Sequence, residues 1–154
     1  PLIYMGDELG LTNDYSYQED PLRSDDSRWL QRPLMDWQKA AQRTDVSTIP
    51  GRIFQALQQM VTARQRCYML HAEAHTEPVW LHNDKLFGLL RRSPRGRLLL
   101  VANVTPEHQI ITGTRLSELE FGGQIRDELS GHSYEGWRDI HLAPYEFMWL
   151  TTAV

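Results

Sequence analysis

A chain of 154 residues with a formal net charge of −4 has room for one ordinary domain or two small ones, and its acidity argues against a nucleic-acid footprint. No run approaches the roughly 20 apolar residues of a membrane span, so no membrane partner is expected. A single cysteine, Cys67, excludes an intrachain disulfide and fits a reducing compartment. Five tryptophans are many for this length. They serve either core packing or stacking on sugar rings, since an indole pairs a flat apolar face with a polar edge.

In chain order, Pro1–Met5 is an apolar run that predicts a buried strand, and Gly6 and Gly10 bracket an acidic turn. The chain opens inside this run, without Met or a signal peptide. We therefore expect partner strands, and the residues that carry the chemistry, to lie upstream. Residues 11–47 show no sustained period and read as one long loop. Its aromatics, Tyr15, Tyr17, Trp29 and Trp37, argue against plain disorder.

A helix follows, with Ser47 or Thr48 as cap and Pro50 in its first turn. Ile53, Leu57, Met60, Val61, Arg64, Cys67, Tyr68 and His71 keep helical spacing, so the helix is predicted to fade near 72–75. From Glu77 the pattern changes to strands: 79–81, 85–92, 97–104, 109–112, 124–129 and 145–151. The turn Ser93-Pro94-Arg95-Gly96 joins the second and third as a hairpin. Along 145–151, Tyr145, Phe147 and Trp149 alternate with Met148 and Leu150. The fold class expected is α+β: a strand, a long loop and a helix (residues 1–75), then an antiparallel β-sandwich (76–154). The first part makes one β/α unit, which needs a sheet or barrel around it to bury both faces of its strand.

Several stretches resemble one family. Pro1-Leu2-Ile3-Tyr4-Met5-Gly6-Asp7-Glu8-Leu9-Gly10 is similar to the eighth barrel strand of the α-amylase superfamily, glycoside hydrolase family 13. Ser24-Asp25-Asp26-Ser27-Arg28-Trp29 with Arg32-Pro33 resembles the amylosucrases and related sucrose hydrolases within it. So do Ala41-Gln42-Arg43-Thr44-Asp45 and the closing run 142–150. The pattern departs at Leu30-Gln31, where Ala-His is the commoner pair, and over 71–77.

The resemblance implies the last β/α unit of a (β/α)8 barrel followed by a C-terminal β domain. It implies retaining cleavage of sucrose, with glucosyl transfer to α-1,4-glucan or to water. Sucrose, α-glucan and the remainder of the barrel are the implied partners, with no cofactor and no metal. A bacterial setting is expected, cytoplasmic first and secreted as the alternative. The nucleophile, the acid/base and a third acid are expected upstream, so no catalytic residue is assigned here. Such chemistry needs two carboxyls about 5–5.5 Å apart. Arg28, Asp25 and Asp26 are the candidate substrate-binding residues. By resemblance, Arg28 pairs with an upstream Asp at the closed end of a glucose pocket, where its rigid fork suits a carboxylate.

Other candidates have plainer readings. Asp7 and Glu8 brace loops by resemblance. Asp25 and Asp26 either support Arg28, contact substrate or cap a turn. Trp29 is a sugar platform or a loop anchor. His71 and His75 have helical ligand spacing but no third partner. Arg91, Arg92, Arg95 and Arg97 read as a solvated turn that blunts a sheet edge. The β domain also stands as a possible non-catalytic glucan-binding or packing module.

Overall fold

A computed structural model describes residues 2–152 and divides the chain into two compact units, 1–61 and 62–154. No helix among the described residues is long and apolar enough to cross a membrane.

The second unit is built on a six-stranded antiparallel sheet. Its strands are β1 (His75–Pro78), β2 (Leu86–Ser93), β3 (Gly96–Asn103), β5 (Gln124–Asp127), β6 (Ser133–Glu135) and β8 (Phe147–Thr152), in the order β1-β2-β3-β8-β5-β6. A second sheet pairs β4 (Gln109–Ile111) with β7 (Ile140–Leu142). One apolar cluster joins them. Leu86, Leu90, Leu99, Val101, Ile125, Met148 and Leu150 come from the wide sheet, and Ile111, Ile140 and Leu142 from the narrow one. Leu116 of the short helix α3 (Gly113–Glu118), with Leu119 and Phe121 after it, completes the cluster. Each fully buried side chain of this kind contributes about 1.5–3 kcal/mol. The strands are antiparallel, as expected from the sequence, and both sheets share this one core.

The hairpin falls where the turn residues put it, with Ser93 opposite Gly96 and Leu90 opposite Leu99. The first strand is displaced from its predicted place at 79–81 to His75–Pro78. Its register against β2 pairs Glu77 with Leu90 and lets Glu77 reach Arg92. Val79 adds one bond, N–H to the Gly88 carbonyl, before the chain leaves the sheet.

The segment after Arg66 packs against β2 and β3 of the wide sheet. Cys67, Met69, Leu70 and Ala74 are buried there, as is Leu98. Arg91 fastens the segment by donating Nε–H to the Met69 carbonyl and Nη2–H to that of His71, both at 2.7 Å. The arginines around the hairpin are thus not merely a solvated turn. Arg91 clamps backbone, Arg92 pairs with Glu77 and Arg97 pairs with Glu120.

In the first unit, Leu2–Met5 is not a strand. All four residues are exposed, and none has a ladder partner among the described residues. A strand requires a neighbour for its amides, and β-propensity alone cannot supply one. A 3-10 turn at Asp7–Leu9 comes first, and the predicted loop 11–47 is short-range structure: 3-10 turns at Tyr15–Glu19 and Ser27–Gln31, then the single-turn helix α1 (Trp37–Ala41). Gly6 and Gly10 both take positive φ at the ends of the first turn, as the bracketing glycines suggested.

The long helix α2 runs Ile49–Arg66 and ends well before residue 72. Cys67 and a 3-10 turn at Tyr68–Leu70 follow, so Cys67, Tyr68 and His71 are outside it. Apolar periodicity carried past Arg66 because the same residues pack on the sheet in a different conformation. Thr48, not Ser47, is the cap: its Oγ1 accepts from Gly51 N–H at 3.1 Å. Thr48→Ala should cost about 1 kcal/mol, read as a lower midpoint in urea. Ser47→Ala should cost less, since the Ser47 hydroxyl donates only to Asp45 at 2.7 Å.

Candidate functional site

The three candidate residues lie in and beside the 3-10 turn Ser27–Gln31. Asp26 is its cap residue, extended at φ −121°, and its Oδ1 accepts from Arg28 N–H at 3.0 Å. The cap brings the Arg28 side chain back over the same carboxylate. Nε–H donates to Oδ1 and Nη2–H to Oδ2, both at 2.8 Å. This is a fork-to-fork pair, the geometry in which a guanidinium and a carboxylate bind most specifically. The side-chain hydrogen bond from Arg28, then its backbone N–H, hold the Asp26 carboxyl below the usual carboxylate range. Asp26 in turn raises the Arg28 guanidinium. The folded Asp26 pKa being depressed, the clamp is intact at neutral pH and opens only as pH falls through that lowered value.

Arg28 therefore has a carboxylate partner two residues back in the chain. The signal was present in the sequence as Asp-x-Arg at a turn cap, one of the readings held open for Asp26. Asp25 is exposed on the approach to the same turn and makes no hydrogen bond or ion pair among the described residues.

Arg28 also lines a cavity of about 440 Å³ within the first unit, with Tyr4, Asp7, Asn13, Gln31 and Arg32. A bond from Asp14 N–H to the Leu30 carbonyl, 2.9 Å, ties the turn at Tyr15–Glu19 to the one that carries Arg28. Beside the apolar Met5, Leu11 and Pro33, the cavity wall carries two guanidinium groups, two amides and a carboxylate. Such groups bind hydroxyl-rich ligands by paired donors and acceptors. Asn13 was not singled out from the sequence, and nothing in its spacing marks it.

Asp7 and Glu8 spend their carboxylates locally. Glu8 Oε2 accepts from Gly6 N–H at 2.8 Å and Asp7 Oδ2 from Tyr4 N–H at 3.3 Å. Both brace the turn. Trp29 is half-buried, with the Arg23 guanidinium 4.7 Å over its ring, so one face of the indole is already occupied. His71 and His75 share no helix face, since β1 begins at His75. No group of three His, Cys, Asp or Glu among the described residues is placed to hold a metal ion. Cys67 is buried, which pushes its thiol up and leaves it a packing group. In the second unit, Trp80, Trp137, Tyr145, Phe87 and Phe147 are exposed.

No protein-family profile matches this chain. Its fold is similar to that of AmyP, solved in complex with maltose, at 19% identity and a TM-score of 0.54 over 67% of this chain and 21% of that one. AmyP carrying a Glu-to-Gln substitution, solved with maltotriose, is similar at 18% identity and a TM-score of 0.55, over 70% of this chain and 22% of that one. The chain spans about a fifth of AmyP's length, and what the two share at this identity is the fold.

Proposed function

We propose that this chain is the C-terminal portion of an α-amylase-superfamily enzyme of amylosucrase type, which moves a glucosyl unit from sucrose to an α-1,4-glucan. On this reading residues 1–75 complete a (β/α)8 barrel and residues 76–154 form its C-terminal domain. The catalytic acids lie on other strands of the parent, and the chain alone turns nothing over. A bacterial, cytoplasmic enzyme is the setting that fits. Two features support the superfamily: the fold likeness to AmyP, and that protein's complexes with maltose and maltotriose.

The observation that carries the finer reading is the Asp26–Arg28 fork at the edge of a polar cavity. Its partner set leaves the second edge of the guanidinium open to a sugar hydroxyl or to another carboxylate. A sugar pocket closed by a fixed cation accepts a terminal glucosyl unit and refuses a chain that runs through. Arg28→Ala in the parent enzyme should lower kcat/KM on sucrose at least about tenfold, the worth of one charge-assisted hydrogen bond. Arg28→Lys should not restore it, because an ammonium cannot reproduce the fork. Fructose release from sucrose is the measurement. Unchanged sucrose kinetics in Arg28→Ala would remove Arg28 from the site. A parent that hydrolyses maltotriose and leaves sucrose intact would establish an α-glucan hydrolase instead.

A second reading, a glucan-binding role for the β unit, is favoured by the exposed Trp80 and Trp137. Retention of the whole chain on an amylose matrix, lost in Trp137→Ala, would support it. Passage through the matrix unretarded would end it.

A further inference from the structure

The arginines of the second unit are mostly spoken for. Arg92, Arg97, Arg115 and Arg138 pair with glutamates, and Arg91 holds two carbonyls. Of those with no carboxylate partner among the described residues, Arg66, Arg95 and Arg126 line one cavity of about 680 Å³. They reach it from three separate places: the end of α2, the β2–β3 turn and strand β5. This concentrates positive charge at one concavity of a chain whose net charge is −4. A low-dielectric wall beneath the charges focuses their field and raises the local concentration of anions. Buried Cys67 and Met69 supply such a wall.

We infer that this cavity binds a sugar phosphate. Phosphate is the anion that guanidinium groups lining one cavity suit best, since each offers two donors in a plane. The rest of the lining selects what the phosphate carries. Glu128 stands in the same cavity, with its Oε1 accepting from Thr151 Oγ1 at 2.7 Å and its other oxygen available to a hydroxyl. Thr151 and Thr152 add hydroxyls of their own. A nucleotide is the competing phosphate ester, and it would need an aromatic face for its base. Tyr68 is the only aromatic in the lining, and its ring already has two planar neighbours. The Arg95 guanidinium lies 4.1 Å above it and His71 stacks against it at 4.8 Å. A hydroxyl-rich, non-planar group fits what remains. This site is separate from the Arg28 cavity, and its existence does not depend on the reaction proposed above.

The test is calorimetric titration of the whole chain with glucose 6-phosphate, with glucose, inorganic phosphate and AMP as comparison probes. Saturable binding of glucose 6-phosphate is expected. It should weaken markedly between about 20 and 300 mM salt, as screening shortens the reach of the three charges. Arg66→Gln, Arg95→Gln and Arg126→Gln should each weaken it about threefold to tenfold. The three arginines are exposed, so these variants should keep the parent melting temperature, which separates lost binding from lost folding. Inorganic phosphate should bind more weakly and glucose not at all. Phosphate or AMP binding as tightly as glucose 6-phosphate would overturn the assignment. So would an affinity that the Arg126→Gln substitution leaves unchanged.

Discussion

Asp127→Ala should lower the unfolding free energy of the chain by about 3–5 kcal/mol, the cost of leaving several neutral donors without the acceptor they share. Asp127 is 4% exposed and ends β5. Its Oδ1 accepts from Trp149 N–H at 2.8 Å and Leu129 N–H at 3.2 Å. Its Oδ2 accepts from Ser130 N–H at 3.0 Å and Ser130 Oγ at 2.6 Å. One carboxylate thus joins two strands and folds the turn that leads to β6. Alanine leaves the Trp149 amide buried with no acceptor, and each such orphan costs about 1–3 kcal/mol. Asp127→Asn is the sharper comparison, because it keeps the shape. Its amide nitrogen must face N–H donors on one side, so it should recover less than half the loss. Urea unfolding of the three proteins is the measurement. An Asp127→Asn variant within about 0.5 kcal/mol of the parent, the spread of ordinary surface changes, would show that the carboxylate is not the joint.

Asn103→Asp is the second substitution with a large expected effect, about 2–4 kcal/mol at neutral pH. Asn103 is 2% exposed. Its Nδ2 donates to the Glu107 carbonyl at 2.6 Å and the Ala143 carbonyl at 2.8 Å. Its Oδ1 accepts from Thr105 N–H at 3.0 Å and Thr105 Oγ1 at 2.8 Å. Every hydrogen-bonding site of the amide is used, and together they hold the loop after β3 to the turn before β8. An ionised carboxylate presents an oxygen to two carbonyls and has nothing to donate. A protonated one can still donate to one of them. The folded state therefore raises the introduced carboxyl's pKa above its unfolded value of about 3.9. The native protein then binds more protons than the unfolded chain. The penalty is small at acid pH and grows as pH rises from that unfolded value through the raised folded one. Parallel melting curves for the two proteins across pH 3–8 would reveal a constant gap if this account is wrong.

Both residues show where sequence reading stops. The alternation of Met148 and Leu150 with Tyr145, Phe147 and Trp149 was legible, because side-chain direction in a strand follows position along the chain. The Ser93–Gly96 turn and the Thr48–Gly51 cap were legible for the same reason: each is settled within four residues. β6, β7 and α3 were not. They have 3, 3 and 6 residues and little periodicity, and pairing with β5, with β4 and with the central cluster holds them in place. Strand β1 was misplaced because its register is chosen by β2, not by its own side chains.

The candidate site divides along the same line. Ser27–Gln31 bears the cap motif that carries Arg28, and the Asp26–Arg28 fork spans two residues, so the residue order alone contains both halves of the contact. The cavity around it draws on Tyr4, Asn13 and Gln31, residues that no spacing rule connects. Likewise the arginines at 66, 95 and 126 are scattered along the chain and line one cavity only in the folded protein. Short-range order was thus written in the amino acids themselves: caps, turns, strand alternation and an acidic, single-cysteine character. Which strands pair, what Leu2–Met5 lacks and which charges share a cavity were decided in three dimensions. Hydrogen bonds and Coulomb forces act across space over a few ångströms, and distance along the chain does not enter them.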